Sequence, residues 1–182
     1  YPEKRRPIQT PTWRGLSQLF LRNDVLLPAL LSALLHFGDY TATFGFIPIL
    51  ARRFAASDNI ISLLTSSDLL VAMLGSLVVS SAGRRIAVKR LLTGGFLAMG
   101  IGLIGAAAAP NMAVLIAAQL TIGLGYGICY PALMGASIQN VGPAEVTSAM
   151  GLHQSVYSIG MFTGPWLGGI LANQMGIQPM FG

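Results

Sequence analysis

No charged residue occurs between Arg90 and Glu145, and none between Glu145 and Gly182. Uninterrupted apolar stretches of that length fit lipid far better than water. Composition agrees: 53% of the residues are hydrophobic and 9% charged, where soluble domains carry roughly 25% charge. With 11 basic and 6 acidic side chains, a soluble globule could not cover its surface. This argues against a soluble enzyme, a nucleic-acid-binding domain or a disordered chain, despite the net charge of +5. The single cysteine, Cys129, excludes an intrachain disulfide and a cysteine-based metal site.

A membrane-crossing helix needs about 20 mostly apolar residues. Five stretches qualify: about 25–51, 59–82, 91–109, 112–141 and 146–172. Short polar or Pro/Gly breaks separate them, and a sixth element begins near Gly176. Membrane strands are not expected, because the stretches lack period-2 alternation and are too long. The expected fold is therefore all-α, a multi-pass transmembrane bundle over 25–182 preceded by a basic linker, 1–24. The first apolar run is too long for a signal-peptide core. A chain running from Tyr1 to Gly182, where an apolar element has just begun, is expected to be a fragment.

The basic residues orient the bundle. Lys4, Arg5, Arg6, Arg14 and Arg22 share one side with Arg84, Arg85, Lys89 and Arg90, while Arg52 and Arg53 lie on the other. Positive loops stay in the cytoplasm, so the N-terminus and the 83–90 loop are expected there, in a cytoplasmic membrane. Residues 13–22 read either as an interfacial helix or as a plain basic linker.

Polar side chains gather on four of the five spans. The first carries Ser32, His36, Asp39, Tyr40 and Thr43; the second Thr65, Ser66, Ser67 and Asp68. The fourth carries Gln119, Tyr126 and Tyr130; the fifth His153, Gln154, Tyr157 and Ser158. The third is apolar past Thr93 and reads as lipid-facing support, with Ala98, Gly102 and Ala106 as a close-packing stripe. The four polar faces are expected to line a wet cavity formed by His36, Asp39, Tyr40, Gln119, Tyr126, His153, Gln154 and Tyr157.

An acid at the bilayer centre costs about 2.5–3.5 kcal/mol on insertion scales. Asp39 and Asp68 both fall near mid-span, and His36 stands three residues before Asp39 on the same face. An imidazole and a carboxyl so spaced can share a proton, so His36, Asp39 and Asp68 are the proton-coupling candidates. Each also has a structural reading: a local His–Asp pair at a bend, or a Thr-Ser-Ser-Asp run satisfying a broken helix. No cofactor or metal is expected, since two histidines are few for metal work and no H-x-x-x-H or G-x-S-x-G pattern occurs.

Three local features resemble the major facilitator superfamily of secondary transporters. Gly83-Arg84-Arg85 resembles the end of its D-R-x-G-R-R loop, without the acid. Gln119-x3-Gly123-x-Gly125 resembles its R-x-x-x-G-x-G helix motif, with Gln in place of Arg. Gly160-x3-Gly164-Pro165-x2-Gly168-Gly169 matches its G-x3-G-P-x2-G-G motif in full. The resemblance implies one six-helix half of a 12-helix transporter. The eroded first two motifs and the basic linker point to the C-terminal half; an N-terminal half is the alternative. It further implies alternating access, a small solute, protons as a coupling ion, and a partner half from the same chain. No catalytic residue or enzymatic activity is expected. The competing class is a multi-pass membrane enzyme, receptor or structural protein without transport.

Overall fold

The computed structural model describes residues 13–82 and 86–175, and the side chains of 17–81 and 86–174. The Gly83-Arg84-Arg85 motif, the sixth element near Gly176 and most of the basic linker lie outside them.

The described chain is helical, and no strand occurs among the described residues. A short helix, α1 (Trp13–Phe20), leads into α2 (Asn23–Asp39), a π-helical segment (Tyr40–Phe46) and α3 (Ile47–Arg53), which together form one long rod. Then follow α4 (Asp58–Ala82), α5 (Val88–Ala107), α6 (Met112–Ile138) and α7 (Val146–Met175). Among the described residues, four helices are long and apolar enough to cross a membrane: Asn23–Arg53, Asp58–Ser81, Val88–Ala107 and Met112–Ile138. α7 is the longest element, at 30 residues, but its polar residues dilute its apolarity.

Local chemistry sets the ends. Asn111 caps α6, its side chain accepting from the Val114 amide at 3.0 Å. Pro110, two residues before α6, keeps α5 from running on. α3 closes in a Schellman turn: Ala56 N–H reaches the Ala51 carbonyl, Ala55 N–H reaches that of Arg52, and Ala55 sits at φ 58°. The π segment precedes Pro48, which has no N–H to offer the carbonyl four residues back. Such segments frequently mark functional sites.

Small residues let the helices touch. α5 lays Gly95, Met99, Gly102 and Ala106 against α6 and exposes Leu97, Ile101 and Ile104. The support role expected for the third span fits this. The stripe runs through Gly95 and Met99, with Ala98 only half-buried. Gly123 and Gly127 of α6 meet Asp68 and Ala72 of α4, while Gly125 meets Gly95 and Met99 of α5. A Cβ at any of these three positions would strike backbone. α7 packs on α2 in the same manner, Gly160 over Ala33 and Gly164 over Phe37. Matching four-residue steps on both helices account for two of the motif glycines. Gly168 is buried on the same side, whereas Gly169 is exposed with open space around it. Pro165 lies inside α7, half-buried, with the helix continuous across it.

α4 does not bear out the alternative structural reading of its polar run. Its Thr65-Ser66-Ser67-Asp68 run lies in an unbroken helix, with the Thr65 and Ser67 hydroxyls donating to the Ile61 and Leu64 carbonyls. The departure from α-helical geometry falls instead in the first rod, directly after Asp39.

Candidate functional site

Three polar groupings occupy the seams among α2, α4, α6 and α7. The first centres on His36, 2% exposed. Its Nδ1 lies 2.7 Å from the Ser32 carbonyl, which can only accept, so Nδ1 carries a hydrogen. In the neutral ring Nε2 then accepts from the Tyr126 hydroxyl at 3.2 Å. Four tyrosines surround the imidazole. Tyr157 of α7 stacks on it at 4.2 Å and 6°. Tyr126 and Tyr130 of α6 meet it edge-on at 5.3 and 5.2 Å, and Tyr40 lies 6.0 Å away. Tyr126 and Tyr130 also stack on each other at 5.6 Å. One ring from α2 thus joins α6 and α7, and all four tyrosines remain half-exposed.

The second grouping is a buried hydrogen-bonded chain. Thr43 donates to Asp39 Oδ1 at 3.0 Å and accepts from Gln119 Nε2 at 3.0 Å. Beyond Gln119 lies Asp68, whose carboxyl sits beside the Gln119 amide and against Gly123, one turn further along α6. Asp39 is 3% exposed, Asp68 1% and Gln119 0%. Asp68 Oδ1 and Gln119 Oε1 are both buried and find no donor.

The third grouping is His153, fully buried on α7. Its Nε2 lies 3.0 Å from Ser32 Oγ of α2 and its Nδ1 2.6 Å from Ser137 Oγ of α6. Ser137 also donates to the Leu133 carbonyl, 3.2 Å away. Both ring nitrogens are thereby engaged, and the ring ties three helices together.

The structure sorts the expected residues accordingly. His36, Tyr40, Tyr126 and Tyr157 come together in one aromatic wall. Asp39, Gln119 and Asp68 come together in the chain. His153 sits fully buried behind the wall, in edge-on contact with Tyr157 at 5.8 Å, in the position of a helix tie. Gln154 is exposed on α7, away from both groupings' hydrogen bonds. His36 and Asp39, expected to share a proton, have separate partners: His36 bonds Ser32 and Tyr126, Asp39 bonds Thr43. Thr43 and Tyr130, read only as members of polar stripes, prove central. Ser137 is not among the residues expected from the sequence, although it continues the Tyr126–Tyr130 face one heptad on.

No group of three or more His, Cys, Asp or Glu side chains placed to hold a metal occurs among the described residues. At the end of the bundle where α2 begins, Arg22 forks onto Asp24 at 3.1 and 2.7 Å and reaches the Asn140 carbonyl at 2.9 Å. This pins the turn after α6 to the start of the first rod. Below it Leu19 of α1 packs with Val25 and Ala149. Lys and Arg are absent from 23–51, 59–81 and 91–174, so the walls around both groupings carry no fixed positive charge.

The chain is similar to the riboflavin transporter RibZ of Clostridioides difficile (strain 630), 27% identical over 135 residues. That match covers 74% of this chain and 29% of the relative, so the chain spans less than a third of the relative's length. No solved structure matches it. The sequence profile of the Major Facilitator Superfamily matches residues 29–182, most of the chain, and this integral membrane protein belongs to that superfamily.

Proposed function

We propose that the chain is one half, on our reading the C-terminal half, of a secondary transporter. Such a protein moves a small solute by alternating access, driven by protons. The observation that carries this reading is the aromatic wall of His36, Tyr126, Tyr130 and Tyr157 standing next to the buried Asp39–Thr43–Gln119 chain. Ring faces and hydroxyls suit a solute; buried carboxyls suit a proton. A purely structural bundle has no use for four half-exposed tyrosines beside two buried acids, since each buried polar group costs stability unless paired.

In this reading the wall faces the other half of the same chain, and solute lies between the halves. α7 joins the four apolar helices as a fifth span. The π segment after Asp39 and the glycine seams let the rods shift while staying packed. Arg22 and the basic loop keep the end where α2 begins in the cytoplasm, and Arg84 and Arg85 belong to that same loop. Rings on three helices, no nearby cation, and a relative named for riboflavin favour a flat heteroaromatic solute.

The test uses the full-length protein in proteoliposomes, with riboflavin as the probe. Aromatic stacking is worth about 1–3 kcal/mol per ring, so Tyr157→Leu should weaken riboflavin binding roughly 5- to 150-fold, while Tyr157→Phe keeps most of it. Equal binding by wild type and Tyr157→Leu removes the wall from the solute path.

A further inference from the structure

Two acceptor oxygens, Asp68 Oδ1 and Gln119 Oε1, are each buried without a donor, on side chains within hydrogen-bonding reach of one another. Their neighbours fix why. The Thr43 hydroxyl has one hydrogen, and Asp39 takes it. Thr43 must then accept from Gln119, which turns the amide nitrogen toward Thr43 and leaves its oxygen unserved. One hydrogen on the Asp68 carboxyl supplies the missing donor and ends both deficits.

We propose that Asp39 and Asp68 hold a single proton between them, with Thr43 and Gln119 as the link that makes their charge states mutually exclusive. The proposal rests on the reading of these acids as proton carriers and deepens it. On this proposal the hydrogen bonds in the structure correspond to Asp39 as the carboxylate and Asp68 as the acid. The opposite arrangement is equally complete. A protonated Asp39 donates to Thr43, Thr43 donates to Gln119 Oε1, and the Gln119 amide nitrogen donates to an ionised Asp68. Going from one to the other releases a proton from the Asp68 O–H to solvent and takes one up from solvent at Asp39, because Thr43 and Gln119 keep their own hydrogens. The Thr43 hydroxyl rotates, the Gln119 amide turns over, and the pair carries one negative charge in both arrangements. Two carboxylates would leave the Gln119 oxygen without a donor. Two acids would leave one hydrogen more than the three links of the chain can use. Such a pair titrates as a unit.

The other titratable groups nearby do not disturb this count. Tyr40 shares the rod of Asp39, and Tyr126 of α6 and Tyr157 of α7 are phenols in the aromatic wall. His36 and His153 have both nitrogens engaged elsewhere. α4 contributes no charged group to the site besides Asp68.

The experiment is infrared difference spectroscopy of the full-length protein in lipid nanodiscs at neutral pH. It reads the protonated-carboxyl C=O band and its deuterium shift. Asp68→Asn keeps a donor toward Gln119, so the band of one carboxyl disappears and Asp39 stays ionised. The double variant Asp39→Asn/Asp68→Asn also loses one carboxyl relative to wild type, not two. Thr43→Val strips Asp39 of its donor and separates the acids, raising the count to two. Asp68→Ser, another donor, repeats the Asp68→Asn loss should that variant assemble poorly. No loss with Asp68→Asn, a loss of two with the double variant, or an unchanged count with Thr43→Val overturns the proposal. None of these readouts needs transport. Gradient-independent flux alongside the expected band pattern would sink proton coupling and leave the shared proton supported.

Discussion

Gly160→Ala and Gly169→Ala make the same chemical change in the same helix and motif, yet Gly160→Ala should be the less stable of the two. A Cβ at Gly160 would meet the Ala33 carbonyl, its carbon 2.7 Å away and Ala33 Cα 3.0 Å away. These are backbone atoms and cannot rotate aside. Carbon pairs prefer about 3.5–4.0 Å, so α2 and α7 must part by roughly 1 Å, and contacts along the seam lose a quarter to a half of their attraction. Overpacking of this kind costs about 1–3 kcal/mol. At Gly169 nothing lies within 4 Å of the added Cβ, so only helix propensity acts, a gain of about 0.8–1.0 kcal/mol. That gain is common to both variants and cancels in the comparison, leaving a difference of about 1–3 kcal/mol set by the seam alone. Thermal unfolding of the full-length protein in nanodiscs reads it directly. Equal melting temperatures for the two variants would refute the reading of Gly160 as a packing glycine.

Two further substitutions test other links. Ala55 holds a left-handed conformation at φ 58°, which costs a residue with a Cβ roughly 1–2 kcal/mol. Ala55→Gly should therefore raise the unfolding temperature, and a decrease would contradict the Schellman turn. Ser137→Ala leaves His153 Nδ1 buried without a partner, so it should destabilise by about 1–3 kcal/mol while solute affinity holds. A loss of affinity without a loss of stability would place His153 in the solute path.

Much of the fold was legible because lipid imposes simple rules. Charge-free stretches located the helices, and the short breaks at Pro110 and Gly142-Pro143 marked their ends to within a few residues. α6 stops at Ile138, short of the expected 141, because the polar pair Gln139-Asn140 turns the chain where Arg22 binds it. The site was legible as faces but not as partners. Helical spacing put His36 and Asp39 on one side of one helix, yet their hydrogen-bond partners come from α6 and α2 and from the π segment. That segment re-aims everything after Asp39 by wrapping wider than an α-helix, which periodicity alone does not reveal. Interhelical pairs such as Gln119 with Thr43, or Ser137 with His153, depend on which faces meet, and a single sequence carries no record of that. The motif glycines showed the same division. Their spacing announced close packing, but only the seam against Ala33 and Phe37 tells Gly160 and Gly164 apart from Gly169.

The most direct measurement is proton-driven accumulation of riboflavin by the full-length protein in proteoliposomes, wild type beside Asp39→Asn. The account predicts that wild type accumulates solute only under an imposed pH gradient. Asp39→Asn should still exchange solute across the membrane at equilibrium and no longer accumulate it. Gradient-driven accumulation by Asp39→Asn at the wild-type level, with unchanged pH dependence, would contradict the central claim that this buried chain couples protons to transport.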